Sequence, residues 1–158
     1  FNRFSDTWHH GDYAEVKKSG GFVIYGRSDT TLNPGGVRLG TAEIYSEIEK
    51  FKEIKESIVV GQVWDNDIRI VLFVILNSKN KMNDNLYKKI KSQIRKNASP
   101  RHVPSKIIVV NDIPRTKNGK IVELAVKNII EGNKINNKEA LANPEVLEQY
   151  RNLKELNN

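Results

Sequence analysis

Between Ile68 and Leu76 the chain reads Ile-Arg-Ile-Val-Leu-Phe-Val-Ile-Leu, nearly all apolar and rich in β-branched side chains. Its unbroken part, Ile70 to Leu76, is far shorter than the roughly 20 residues of a membrane-spanning helix. The run therefore reads as a strand, and its neighbours define what packs around it. Ile58-Val59-Val60 reads as a short strand, and Ile107 to Val110 as another. Ile44, Ile48 and Phe51 share one face of a helix that Thr41 can cap. Leu86, Ile90 and Ile94 recur at four-residue spacing within Asp84 to Lys96, a second amphipathic helix. Val122 to Ile130 reads as helical. Asn143-Pro144-Glu145 starts another helix, with Asn as cap and Pro at the first helical position, running to about Leu156. The polar stretch 132–138 is a loop.

Upstream, Tyr13 to Lys17 alternates and can pair with Phe22 to Tyr25 across Lys18-Ser19-Gly20-Gly21, a β-hairpin. The strand ends at Gly26-Arg27-Ser28-Asp29, which puts a domain boundary near Asp29. Residues 1–28 then belong to one domain and 29–158 to another. Beyond Asp29 the order is helix, strand, strand, helix, strand, helix. That order predicts an α/β (α+β) fold: a small domain with a three-stranded sheet, flanking helices and one core, preceded by the hairpin.

The chain has no cysteine, so disulfides, thiolate nucleophiles and cysteine metal sites are excluded. This fits a reducing, cytoplasmic compartment. Phe1-Asn2-Arg3-Phe4 opens without Met or a hydrophobic block, which suggests a fragment with no secretory signal. Lys and Arg number 26 against 19 acidic residues, a net charge of +7. The balance suits a solvated basic surface, or an anionic partner such as nucleic acid, a nucleotide or coenzyme A. Aromatic residues are few, and no RNA-binding signature is evident.

Four short stretches could carry chemistry. In Trp8-His9-His10-Gly11-Asp12, adjacent His side chains on an extended strand point opposite ways, which argues against a metal pair. Asp12 either accepts two hydroxyl hydrogen bonds, as a ribose diol would offer, or caps the hairpin. In the stretch from Gly26 to Ile44, Arg27 and Arg38 flank a Gly-rich loop, Asn33-Pro34-Gly35-Gly36. This is a phosphate site, with exposed amides beside a bidentate Arg, or a turn with solvated charges. Gln93 to His102 gathers cations at a helix end, either for a ligand or for the helix dipole. Pro114-Arg115-Thr116-Lys117-Asn118-Gly119-Lys120 turns tightly at Asn118-Gly119 and presents Lys120 as a mobile catalytic cation or as surface charge.

In this order and separation, the four stretches resemble the adenylate-forming superfamily of acyl-CoA synthetases, luciferases and peptide-synthetase adenylation domains. The resemblance runs from the first residues nearly to the last. Gly26 to Tyr45, Asn97 to Pro104, Pro114 to Leu124 and Glu139 to Pro144 are more similar to the acetoacetate-activating branch than to the acetate-activating one. The family joins a carboxylate to the α-phosphate of ATP, which travels with Mg2+, and then passes the acyl group to the CoA thiol. A small carboxy-terminal domain rotates on a large amino-terminal one between the two steps.

The resemblance implies a role for each matching position. Asp12 would bind the ribose hydroxyls of ATP, Arg27 would contact the nucleotide, and Arg38 the ATP phosphates. Asp29 would be the hinge. Gly35 and Gly36 would line the pantetheine path, and Arg95 would contact the CoA nucleotide. Lys120 would be the adenylation lysine, between the carboxylate and the α-phosphate. Thr30 stands where the family often has a second acid. The implied partners are the chain's own amino-terminal domain, ATP, CoA and a short carboxylic acid, with no nucleic acid, membrane or resident metal. Two alternatives carry over: a fragment acting on acetate or propionate, and a basic nucleic-acid-binding module.

Overall fold

The computed structural model describes residues 10–135 and 137–157. Strands β1 (Asp12–Val16) and β2 (Phe22–Arg27) form the antiparallel hairpin. Its turn closes through Lys17 N–H donating to Gly21 C=O at 2.8 Å, with Gly20 at φ +83°. The register shifts between Tyr13 and Ala14 and leaves Asp12 opposite Arg27. Val16, Phe22 and Ile24 on this hairpin are exposed.

The apolar run forms β4 (Asp67–Leu76), the central strand of a three-stranded sheet ordered β3-β4-β5. β3 (Ile54–Trp64) pairs antiparallel with it, and β5 (Lys106–Val109) pairs parallel. β3 is much longer than Ile58-Val59-Val60. Its extension continues through polar residues that pair across the hairpin as far as Trp64 and Asp67. Asp65 and Asn66 turn the chain there with φ of 50° and 60°, the left-handed pair that a tight hairpin turn needs. Helices α1 (Ala42–Ile48), α2 (Asp84–Asn97) and α3 (Glu123–Ile130) complete the mixed α/β domain.

Because both parities of β4 are apolar, the sheet is covered on both sides. Val59, Ile70, Leu72, Val74 and Ile107 face α1 and α2. Ile58, Val60, Val71, Phe73, Ile75 and Ile108 face α3 and the carboxy-terminal tail. The single expected core is thus two clusters with the sheet between them. Arg69 interrupts the run without loss, because it donates to Gln62 Oε1 at 2.9 Å and lies 3.8 Å over the Trp64 ring.

Three local expectations fail. Thr41 is helical, at φ −78° and ψ −21°, and its side chain makes no capping hydrogen bond. It is buried beneath Gly26 instead. Phe51 lies past the end of α1 but still packs on the α1–α2 cluster. The tail is not an α-helix to Leu156. Pro144–Tyr150 is a 3-10 segment, Asn152 at φ 54° breaks it, and a short turn Lys154–Leu156 follows. Asn143 does precede Pro144, but its side chain is engaged elsewhere.

Candidate functional site

The hairpin register brings Asp12, Arg27 and Asp29 into one cluster. Arg27 Nε and Nη2 donate to Asp29 Oδ1 and Oδ2 at 3.2 and 3.1 Å. Arg27 Nη1 donates to the His10 carbonyl at 3.1 Å and stands 4.0 Å from Asp12 Oδ1. The other Asp12 oxygen lies 2.5 Å from His10 Nδ1. The forked bond from Arg27 is the first cause of the lowered Asp29 pKa. Gly11 makes this closeness feasible: at φ +89°, a Cβ there would lie 3.0 Å from Arg27 Nη2. Trp8 and His9 lie outside the described residues. Among the described residues no three His, Asp or Glu groups gather as metal ligands.

A crevice of about 380 Å³ opens between the hairpin and α1, lined by Tyr13, Tyr25, Arg38, Glu43 and His102 among others. Arg38 is exposed at its rim. Glu43 Oε2 and His102 Nε2 are buried without hydrogen-bond partners and face each other at 3.7 Å, too far for a hydrogen bond. His102 Nδ1 lies 2.8 Å from Ser99 Oγ. His102 therefore departs from a solvated charge at a helix end, because the Pro100–His102 turn folds it inward. Gly40 allows the approach of hairpin and helix, since a Cβ there would stand 2.4 Å from the Tyr25 carbonyl.

The Gly-rich loop is held to the start of β4. Gly35 N–H donates to both carboxylate oxygens of Asp67 at 2.9 Å. Gly35 and Gly36 have φ of 58° and 75°, a backbone path that glycine follows at least cost. Arg95 is exposed in the last turn of α2. There its charge also complements the helix dipole.

Lys120 is exposed at the end of a tightly built turn. Gly119, at φ +77°, donates its N–H to Thr116 C=O at 2.8 Å, and Thr116 N–H donates to Lys120 C=O at 2.8 Å. Lys120 N–H donates to Thr116 Oγ1 at 3.1 Å. Arg115 and Asn143, to which the sequence assigned no role at this turn, hold it in place. Arg115 donates to Gly119 C=O at 2.9 Å and to Glu56 Oε2 at 2.6 Å. Asn143 accepts from Arg115 N–H at 2.9 Å. Arg115 belongs to the Pro114–Lys120 stretch, but its partner Glu56 is far away in sequence, and no local signal marks the pair.

These elements match known proteins over the whole chain. The family model for the AMP-binding enzyme C-terminal domain matches residues 43–120. An acetoacetyl-coenzyme A synthetase of Rhizobium meliloti (strain 1021) is 56% identical across 99% of this chain and 24% of its own length. An acetoacetyl-CoA synthetase of Gallus gallus is 46% identical across 100% of this chain and 24% of its own. The chain thus spans about a quarter of the length of the curated relatives it matches. The solved acetoacetyl-CoA synthetase from Streptomyces lividans superposes with a TM-score of 0.84 at 38% identity, over 96% of this chain and 23% of that one.

Proposed function

We propose that this chain is the carboxy-terminal quarter of an ATP-dependent acetoacetate–CoA ligase, in keeping with the match of residues 43–120 to the AMP-binding enzyme C-terminal domain model. The observation that carries the reading is the 56% identity to an acetoacetyl-coenzyme A synthetase across 99% of the chain. A carboxylate oxygen of acetoacetate attacks the α-phosphorus of ATP, and pyrophosphate leaves. The CoA sulfur then attacks the acyl carbon, and AMP leaves. ATP enters as its Mg2+ complex.

The first step brings two anions together, and Lys120 is the cation assigned to it. Its exposure, on a turn whose backbone is already fixed, supports that role. A preorganised donor of this kind is worth about 10²–10³ in rate. Asp12 and Arg27 are assigned to the nucleotide, with Arg38 on its phosphates. Gly35, Gly36 and Arg95 are assigned to CoA. Residues 1–28 are assigned to the end of the large domain and 29–158 to the mobile one, with Asp29 as hinge. The exposed apolar Val16, Phe22 and Ile24 support the division, since they leave a surface for the rest of a large domain to cover. The fork between Arg27 and Asp29 ties the nucleotide residues to the hinge. No helix among the described residues is long and apolar enough to cross a membrane. Cytoplasmic placement is part of the same proposal.

The test is Lys120→Ala in the full-length protein. Acetoacetate-dependent ATP–pyrophosphate exchange should fall by about 10²-fold or more, while thioester formation from supplied acyl-AMP continues. Equal loss of both half-reactions would refute the lysine's role. Exchange with acetate or propionate but not acetoacetate would refute the substrate.

A further inference from the structure

The family match ends at residue 120, yet residues beyond it contact the turn that carries Lys120. The tail crosses the turn at an isolated β-bridge. Thr116 forms a β-bridge with Leu141, Lys117 N–H donates to Ala140 C=O at 3.3 Å, and Ala142 N–H donates to Arg115 C=O at 2.8 Å. Asn143 is the hub. Its Oδ1 accepts from Arg115 N–H at 2.9 Å, and its Nδ2 donates to Asp112 Oδ2 at 2.9 Å and Ile113 C=O at 3.0 Å. Arg115 in turn reaches from Glu56 on β3 to the carbonyl of Gly119, the residue before the lysine.

A cavity of about 400 Å³, lined by Thr116, Val122, Leu124, Ala125, Ala140 and Leu141 among others, lies beside the turn and α3. Besides the Arg115–Ile121 bridge and the bond from Val122 N–H to Pro114 C=O at 3.1 Å, hydrogen bonds to the tail and to β3 set where the turn sits. We infer that the tail is a brace for the lysine turn, with Asn143 and Arg115 acting as positioning residues for Lys120. This rests on the assignment of Lys120 made under the proposed function. Neither residue has to touch substrate. Each fixes the backbone from which the lysine reaches, and a displacement of about 1 Å at a reacting group can cost about 10²-fold in rate.

The experiment uses the full-length protein with Asn143→Ala, Arg115→Ala, Arg115→Lys and Thr116→Val. Thr116→Val conserves shape while deleting the acceptor of the Lys120 N–H, so it keeps the test sound if another variant fails to fold. Each alanine variant and Thr116→Val should lower kcat of pyrophosphate exchange by about 10- to 100-fold, leave KM for ATP within about twofold, and spare thioester formation from acyl-AMP. Arg115→Lys should recover part of the loss. Added to Lys120→Ala, Asn143→Ala should cost nothing more, because the group it positions is gone. Hydrogen exchange at the Lys117 and Gly119 amides should quicken in Asn143→Ala. Unchanged exchange kinetics in folded variants, or equal loss of both half-reactions, overturns the brace. If Lys120→Ala itself leaves pyrophosphate exchange intact, the lysine assignment is what fails. In that case quicker amide exchange in Asn143→Ala still supports a brace on the turn, and unchanged amide exchange refutes it.

Discussion

Replacing Tyr150 tests whether the tail belongs to the cooperative core. The side chain is fully buried, and its ring meets Phe73 edge-on, with centroids 5.0 Å apart and planes at 80°. Its hydroxyl donates to Asp112 C=O at 2.8 Å. Tyr150→Phe removes that bond alone. The carbonyl keeps Gln149 Nε2 as a donor at 2.7 Å, so no buried acceptor is orphaned. The cost should be about 1 kcal/mol, the net worth of one such bond. Tyr150→Ala also empties the space beside Phe73, and aromatic-to-alanine changes at such sites cost about 3–5 kcal/mol. At about 2–4 °C per kcal/mol, thermal melts should drop by about 3 °C for Phe and about 10 °C for Ala. Urea titration should show the same order with an unchanged slope. Burial pushes the phenol pKa up from its ordinary value of 10.0, with Asp112 adding to the shift. A raised folded pKa gives stability that is present below pH 10 and lost as pH rises beyond it. Tyr150→Phe should flatten that alkaline loss. Variants both within about 0.5 kcal/mol of the parent would refute the reasoning, because the tail would then lie outside the core.

Two further outcomes follow from the hinge and from α1. Asp29→Pro fixes φ and deletes the carboxylate that holds Arg27, so one half-reaction of the full-length protein should slow by about tenfold or more while the other is largely spared. Unchanged rates in both would remove Asp29 from the hinge. Glu47 is a buried carboxylate that accepts from Asn97 at 2.9 Å, Lys50 at 2.5 Å and Gln93 at 3.0 Å, and these bonds, Asn97 first, lower its pKa from 4.5. A lowered folded pKa gives stability that is present above pH 4.5 and lost as pH falls through the folded value. Glu47→Gln should therefore melt below the parent at neutral pH, and the gap should close in acid. A gap independent of pH would count against this account.

The elements were legible where period and composition coincide. The hairpin followed from alternation around Gly20-Gly21, and β4 from its apolar run. Helices α1 and α2 followed from Ile44 and Ile48 and from Leu86, Ile90 and Ile94. What escaped depends on contacts distant in sequence. Thr41 looked like a cap, but the hairpin packs over it and turns its hydroxyl toward Gly26. Asn143 was read as a helix cap, and its real partners, Asp112 and Arg115, are brought to it by the fold. At the candidate site, Asp12 and Arg27 meet because a register shift between Tyr13 and Ala14, with Tyr25 as the extra residue on β2, sets the pairing. His102 was grouped with surface cations, although the turn after Pro100 buries it against Glu43. Local patterns thus gave the elements and the candidate residues, while polar pairings across the fold decided which residues meet.

The sheet itself bears on how one small domain could serve two steps. Gly35, Gly36 and Arg95, assigned to CoA, are carried on the side of α1 and α2, since the loop anchors through Leu32 and Leu39 in that cluster and Arg95 lies on α2. The turn bearing Lys120 is braced from the other side, by the tail that packs with α3. Between them lie strands whose apolar side chains are buried on both faces, a layer too closely packed to let one set of groups slide past to the other's place. Under the proposed function, the two sets can exchange at a common acyl carbon only if the whole domain turns about its connection. Under that proposal the pivot is Asp29, which the forked bond places beside Arg27, a residue assigned to the nucleotide. On this proposal a stiff sheet goes with backbone rotation at Asp29, and softening the brace on one face should disturb only the step that face presents.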